Sequence, residues 1–388
     1  MKALITLFGI LFLLQSANFY YAQGNEPLEA TCLSGNCSDG KGIYQWEDGA
    51  KYDGSWQNGL RHGTGKFISK SGNVYVGEWE MGIKQGKGTY TFKSGSVYVG
   101  EFNKGKREGT GSFKFSNGDS YSGEWKRNKQ NGTGTYVWRN GAVYVGNWVD
   151  DIQEGKGKYT WPTEEYYVGD WKANKQTGKG RMTWPDGSYY DGDWIEDQQT
   201  GVAQIFYSDS SFYDGEVVNG MRQGKGELQY KYGDKYYGEW HNGKKHGLGK
   251  YDFKKGGYYM GSYINEQRTG KGIMYFKDGS VYKGEWITDV RSGYGEIKYA
   301  DGATYEGTWV SDLKEGKGTY INPKGDKYVG EFKNDLFNGE GVLHFHDKSI
   351  YEGPFVDGLQ HGIAFFTTPL GYVTKCNWRF GTYISDVK

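Results

Sequence analysis

The stretch Gly40-Lys-Gly-Ile-Tyr-Gln-Trp-Glu-Asp-Gly-Ala-Lys-Tyr-Asp-Gly-Ser-Trp-Gln-Asn-Gly59 is one unit of a pattern that restarts at Gly63. Its Tyr52-x-Gly54 recurs fourteen times, ending at Tyr351-x-Gly353, and each Tyr lies 23 residues from the last without insertion or deletion. A fixed period of this size belongs to stacked supersecondary units that each touch only their neighbours. The 14 Trp keep the same register. Trp46, Trp138, Trp161 and Trp184 share one slot, and the other ten, from Trp56 to Trp378, share a second.

Two short runs in each unit alternate aromatic and polar residues around a turn pair such as Asp48-Gly49, Asn117-Gly118, Asp186-Gly187 or Asp301-Gly302. This is a β-hairpin signal. A two-residue loop would split Tyr44 and Trp46 from Tyr52 and Trp56, whereas a three-residue loop ending in a left-handed Gly puts all four on one face. The charges decide between them. In the three-residue register Lys87, Lys156, Lys179, Lys225, Lys271 and Lys317 face Glu101, Asp170, Asp193, Glu239, Glu285 and Glu331. Each such cross-strand pair is worth only ~0.2–1 kcal/mol, but the repetition identifies the register. The same reading sets Trp286 and Tyr275 on one face. It also puts Gly42 opposite Gly54, leaving bare backbone for aromatic rings to lie over. The fold class expected is all-β: an elongated, single-layer, twisted antiparallel sheet of about fifteen hairpin repeats. At ~4.8 Å per strand it would be a rod well over ~100 Å long.

The second face is less polar than simple alternation requires, with Val74, Val97, Val143, Val281 and Ile350 in one slot and Val76, Val99, Val145 and Val168 in another. Faces of this kind are covered by sheet curling, by a second copy or by a partner.

The period runs from Gly40 to about Phe380, so residues 40–380 read as one array, preceded by a cap segment over 23–39 and followed by a tail over 381–388. Lys2, the apolar run Ala3–Leu14 and a small-residue stretch to Ala22 read as a signal peptide over 1–22. Cleavage after Ala22 is preferred, although Tyr20 is bulky for its position. The chain is then expected outside the cytoplasm: periplasmic, at the cell surface or secreted. Cys32 and Cys37 form a candidate disulfide in such a compartment, while Cys376 is expected free or paired between molecules.

Lys plus Arg equals Asp plus Glu at 47 each, so no net field favours nucleic acid. The six His offer only one local pair, His344 and His346, read on one face of a strand, with no ligand set to complete a metal site. Gly100, Gly105 and Lys106 resemble a phosphate loop, but Arg107 stands where Ser or Thr would hold magnesium. No catalytic, cofactor or metal site and no small-molecule substrate is expected. One edge carries a charged row: Arg61, Lys84, Arg107, four Gln, then Arg222, Lys245, Arg268, Arg291 and Lys314. The last five are the candidate anion or lipid head-group edge, against a reading in which Glu266, Asp289 and Asp312, two residues before three of them, neutralise a solvated loop.

The run Tyr-x-Gly-Glu-Trp-x-x-Gly-x-x-x-Gly-x-Gly, as in Tyr75 through Gly88 and Tyr236 through Gly249, resembles the membrane occupation and recognition nexus (MORN) repeat. The resemblance implies a non-catalytic hairpin array for scaffolding, self-association or membrane contact, with phospholipid binding in some members. Departures at Thr163-Glu164, Ala203, Asp209-Ser210 and Val217 suggest a bent or less regular middle, and Ala364, Thr374 and Cys376 suggest a C-terminal cap. The function expected is an exported scaffold for protein–protein assembly at the cell envelope, by self-association or with a protein partner. The alternative is peripheral membrane contact through the basic edge.

Overall fold

The computed structural model describes residues 31–387, so the leader expected over 1–22 and the start of the cap lie outside the described residues. The chain divides into two compact units after Lys129. In the first, nine strands run from Thr31–Gly35 to Ser120–Lys126, each antiparallel to the next in sequence. In the second, strands from Lys129–Val137 to Thr382–Asp386 pair with their sequence neighbours in the same way. Every regular element among the described residues is a strand. The all-β hairpin repeat is therefore the fold.

Two turns alternate along each unit. Trp46 N–H donates to the Ala50 carbonyl (2.9 Å) and Gly49 N–H to the Trp46 carbonyl (3.0 Å), enclosing a three-residue loop. Gly49 closes it at φ 87°, in the left-handed region where a Cβ is penalised. The second turn has two residues, with Gln57 paired to Leu60 and positive φ at both Asn58 and Gly59. That geometry matches the twist of the flanking strands. It persists where Gly is absent, as at Asp150 and Asp151 or Thr288 and Asp289.

Lys271 pairs with Glu285, as the three-residue loop requires. Past that point a bulge sets three residues against one: Gly77 pairs with Gly88 and Trp79 with Lys84, so Gln85, Gly86 and Lys87 stand opposite Glu78. The bulge frees a backbone donor, and the acid before the Trp slot accepts from it. Lys87 N–H donates to Glu78 Oε1 (3.0 Å), Lys179 N–H to Asp170 Oδ2 (3.1 Å) and Lys225 N–H to Glu216 Oε1 (3.0 Å). The acids thus serve the bulge as well as the Lys across the strand, with which Lys156–Asp170 and Lys179–Asp193 close to 2.6 and 2.7 Å.

Tyr of every Tyr-x-Gly is at most 1% exposed, as at Tyr52, Tyr144, Tyr236 and Tyr328. Its hydroxyl donates to the carbonyl three residues on, for example Tyr236 to Glu239 at 3.0 Å, so the buried polar tip is satisfied. The ring lies on glycine: a Cβ on Gly249 would fall inside Tyr236, and one on Gly65 inside Tyr52. Most of these Tyr also meet two rings edge-on, one in their own strand and one in the next repeat, the exceptions being Tyr190 and Tyr213 on either side of Val217. Tyr282 lies 5.4 Å from both Trp286 and Trp309. Such contacts are worth about 0.5–1.5 kcal/mol each beyond burial. They form an aromatic zipper within each unit.

Three expectations change. Tyr275 stands on the opposite face from Trp286, stacked on Tyr258 at 4.3 Å, because Met274 holds the core slot. The middle stays regular at its turns: Glu164 (φ 74°) and Ser210 (φ 70°) take the left-handed position of the missing Gly, and Lys348 (φ 78°) does the same. Within the tail expected over 381–388, Thr382–Asp386 forms a further strand that pairs with Val373–Arg379.

Candidate functional site

The five cations of the candidate basic edge each pack against an aromatic ring. Arg222 Cζ lies 4.1 Å from the Trp240 ring centre, Arg268 4.4 Å from Trp286 and Arg291 4.2 Å from Trp309. Lys245 Nζ is 5.0 Å from Tyr251 and Lys314 Nζ 5.4 Å from Tyr320. Four of them also meet an acid: Lys245–Glu266 at 3.3 Å, Arg268–Asp289 at 3.0 Å, Arg291–Asp312 at 2.8 Å and Lys314–Asp335 at 3.9 Å. The side chains of these four cations are 12–22% exposed.

Each acid therefore serves the cation 21 residues before it, not the one two residues after. The two-residue turn places it there, because backbone bonds already link successive turns. Asp312 N–H donates to the Arg291 carbonyl, and Arg291 N–H returns a bond to Asp312 Oδ1, both at 3.0 Å. Arg291 Nη2 adds a bond to the Asp312 carbonyl at 2.9 Å. Where the turn is Asn242-Gly243, Arg222 donates to the Gly243 carbonyl instead (2.6 Å). Burial pushes Lys314 below its ordinary pKa, and burial followed by the charges of Arg61 and Arg107 lowers Lys84 to about 8. The row is a desolvated seam between repeats and not an open line of charge. A phosphate could enter it only by displacing cation–π and ion-pair partners.

The opposite face is different in kind. Val76, Val99, Val145 and Val168 are 46–50% exposed, and Ile195, Val202, Leu248 and Ile287 more so. In the first unit a groove of about 710 Å³ runs along the glycine pairs between Lys87, Thr89, Val99 and Glu101. In the second, one of about 750 Å³ is bordered by Leu248, Met260, Ile273, Tyr294 and Glu306. Leu248 and Tyr294 occupy the slot that seven repeats fill with Lys, and stand 65% and 57% exposed.

The remaining candidates fall apart in space or chemistry. Cys32 and Cys37 are bonded, and Cys376 is a buried thiol in a glycine slot, accepting the Trp378 indole N–H at 3.0 Å. His344 ends its strand, but His346 lies in the loop beyond it, 2.8 Å from Asp326 Oδ1, so the two do not share a strand face. Hydrogen bonds from Asn322 and His346 lower the Asp326 carboxyl to about 2. No group of three or more His, Cys, Asp or Glu able to hold a metal occurs among the described residues. Gly100 lies within a strand and Gly105 in a two-residue turn, with Lys106 opening the next strand, so no phosphate loop forms.

The chain belongs to the MORN repeat family: the family model matches residues 38–165 and 167–189 and, after a gap, 213–369 in consecutive repeats. Residues 190–212 are not matched. A search of the curated proteins gives no match. Among solved structures the chain is similar to the TCP10 domain of Danio rerio CPAP, at 13% identity and a TM-score of 0.31, covering 51% of this chain and 93% of that one. It is also similar to the Drosophila melanogaster SAS-4 TCP domain solved with a proline-rich motif of Ana2, at 14% identity and TM-score 0.27, covering 40% and 85%. Virginiamycin B lyase from Staphylococcus aureus follows at 10% and TM-score 0.12, covering 80% and 92%. Likenesses of this strength carry no functional argument.

Proposed function

We propose that this chain is an exported, non-catalytic scaffold that uses its open sheet face for protein–protein assembly at the cell envelope. The observation that carries the reading is the contrast between the two faces. One is closed by its own Tyr and Trp rings, and the other holds half-exposed Val76 and Val99 in the first unit and Val145, Val168 and Val329 in the second. Rows of this kind exceed what an isolated surface needs and suit a protein partner. Membership of the MORN repeat family accords with a scaffold, and Lys2 followed by the apolar run Ala3–Leu14 supports export. The lipid head-group reading lacks comparable support, since its five cations are engaged in the seam.

The test is to change Val76, Val99, Val145 and Val168 together to Asp and capture partners by cross-linking in the native extracellular fraction. Because these side chains are half exposed, the melting temperature should hold while capture is lost. Undiminished capture by a folded variant would overturn the reading.

A further inference from the structure

The open face of the second unit is electrically divided. At strand positions facing away from the aromatic layer, the three strands Ile152–Thr160, Tyr166–Lys172 and Lys175–Thr183 carry six cations, Lys156, Lys158, Lys172, Lys175, Lys179 and Arg181, against the two acids Glu154 and Asp170. The next four strands, Tyr189–Ile195 to Met221–Gln229, carry five acids, Asp191, Asp193, Asp214, Glu216 and Glu227, against Lys225 alone. Intrachain pairs engage part of this charge: Lys156–Asp170, Lys175–Glu196 at 3.0 Å, Lys179–Asp193 and Arg181–Asp191 at 3.9 Å. Their cations remain 47–72% exposed, so these are hydrated surface pairs that a partner can share.

A face with a basic half beside an acidic half complements itself when turned end for end. We infer that a second copy of this chain covers it, related by a two-fold axis between Lys175–Thr183 and Tyr189–Ile195 and parallel to the strands. This names the partner within the scaffold reading and rests on it. The axis keeps each side chain in its column and exchanges strands counted outward from it. Lys179 and Arg181 then face Asp193 and Asp191 of the second copy, and Lys156 and Lys158 face its Glu216 and Asp214.

The apolar residues follow the same exchange. Ile152 meets Val218 and Val149 meets Met221; three of these four are 46–51% exposed and Ile152 39%, while half-buried Tyr166 meets Phe206. Moving the axis one repeat toward the C-terminus would set Asp191 against Glu227, so the charges select the register. Two sheets packed this way, about 10 Å apart, form an ordinary aligned sandwich. Eight strands at about 4.8 Å, over a usable length of about 17 Å, give roughly 1,300 Å² of total buried surface, within the range of specific interfaces.

The experiment is a charge exchange on the full chain, read by sedimentation equilibrium. Variant A carries Lys156→Glu and Lys158→Glu; variant B carries Asp214→Lys and Glu216→Lys. Wild type should dimerise, and A or B alone should weaken the dimer about 100-fold or more, since each sets like charges face to face. An equimolar mixture of A and B should restore it, because every reversed cation then meets a reversed acid. Restoration also excludes misfolding as the cause of the loss. A wild type that stays monomeric, a dimer indifferent to A and B, or a mixture that fails to reassociate would overturn the inference. Partner capture lost on substituting the Val row would still support the scaffold reading in that case, so the two fail separately.

Discussion

The repeats beginning at Tyr190 and Tyr236 follow one path with different parts. The second has Gly238, Trp240, Gly249 and a Gly256 turn, and the family model matches it. The first keeps Gly192 and Trp194 but has Ala203 for the second glycine and Ser210 at the turn, and the unit after it has Val217 for Trp; residues 190–212 go unmatched. Both are nonetheless registered alike: Ala203 pairs with Gly215 and Ile205 with Tyr213, just as Gly249 pairs with Gly261 and Tyr251 with Tyr259. Path is thus set by turn geometry and the buried Tyr, whereas the glycine and Trp slots set how tightly the zipper closes. Val217 carries no ring, so Tyr190 keeps its edge contact with Trp194 and Tyr213 its contact with Trp240, each on one side only.

The largest expected effect tests what the two repeats share. Burial holds the Tyr-x-Gly phenols above their ordinary value of 10, to about 12 at Tyr52, Tyr98, Tyr259, Tyr282 and Tyr351, and Tyr190 and Tyr213 are also raised. A folded pKa above the unfolded one contributes stability that is complete below pH 10 and is lost as pH rises toward the folded value. Each phenol removes about 1.4 kcal/mol per pH unit in that window, so a chain built on such residues should unfold cooperatively between pH 10 and 12. Phenolate absorbance and circular dichroism followed together should change at one pH. Tyrosines that titrate near 10 in a chain that stays folded would show that the rings are not the common support.

The zipper gap gives a local effect. Trp240→Val removes the ring that Tyr213 and Tyr236 share and the seat of Arg222. It should cost about 3 kcal/mol. Trp286→Val makes the same chemical change far from Val217, but Trp240→Val leaves Tyr213 without an indole edge on either side and should cost more. Hydrogen exchange should show residues 190–240 opening first in the wild type and still more readily in Trp240→Val. Equal losses in the two variants would mean that the gap at Val217 does not reach its neighbours.

The two repeats also separate what the sequence discloses from what it hides. Lys at the x of Gly-x-Gly opposite Glu or Asp before Trp reveals the register, because cross-strand pairing is a local, two-strand property. The seam stays hidden, because Asp289 meets Arg268 through a turn-to-turn bond spanning 21 residues, while the linear text sets it beside Arg291. The Asn-Gly and Asp pairs at the two-residue turns are the signal from which it could have been read. The strand Thr382–Asp386 is hidden for another reason: it follows the last repeat, where periodicity no longer speaks. The divided charge of the open face appears only after each residue is assigned a side, which the bulges within this region prevent by simple counting.

The smallest effect isolates the backbone. The triplets Asp186-Gly187-Ser188 and Asp209-Ser210-Ser211, which follow Pro185 and Ser208, differ within themselves only at the middle residue. In both, the Asp carboxylate accepts from the Ser amide two residues on, at 2.9 Å, and from the same Ser hydroxyl, at 2.5 Å. Ser188 and Ser211 accordingly hold their aspartates below the usual carboxylate value, side-chain bond first and backbone bond second. Gly187 sits at φ 84° and Ser210 at φ 70°. A Cβ on Gly187 meets open space, so Gly187→Ser adds no clash and measures only the left-handed penalty. That penalty is roughly 1–2 kcal/mol before the greater chain entropy of Gly is subtracted, leaving about 0.5–1 kcal/mol. Ser210→Gly should therefore raise the urea midpoint of the full chain by the amount that Gly187→Ser lowers it, with unchanged m-value. If Ser210→Gly were neutral or destabilising while Gly187→Ser remained costly, the Ser210 side chain would be contributing a contact of its own.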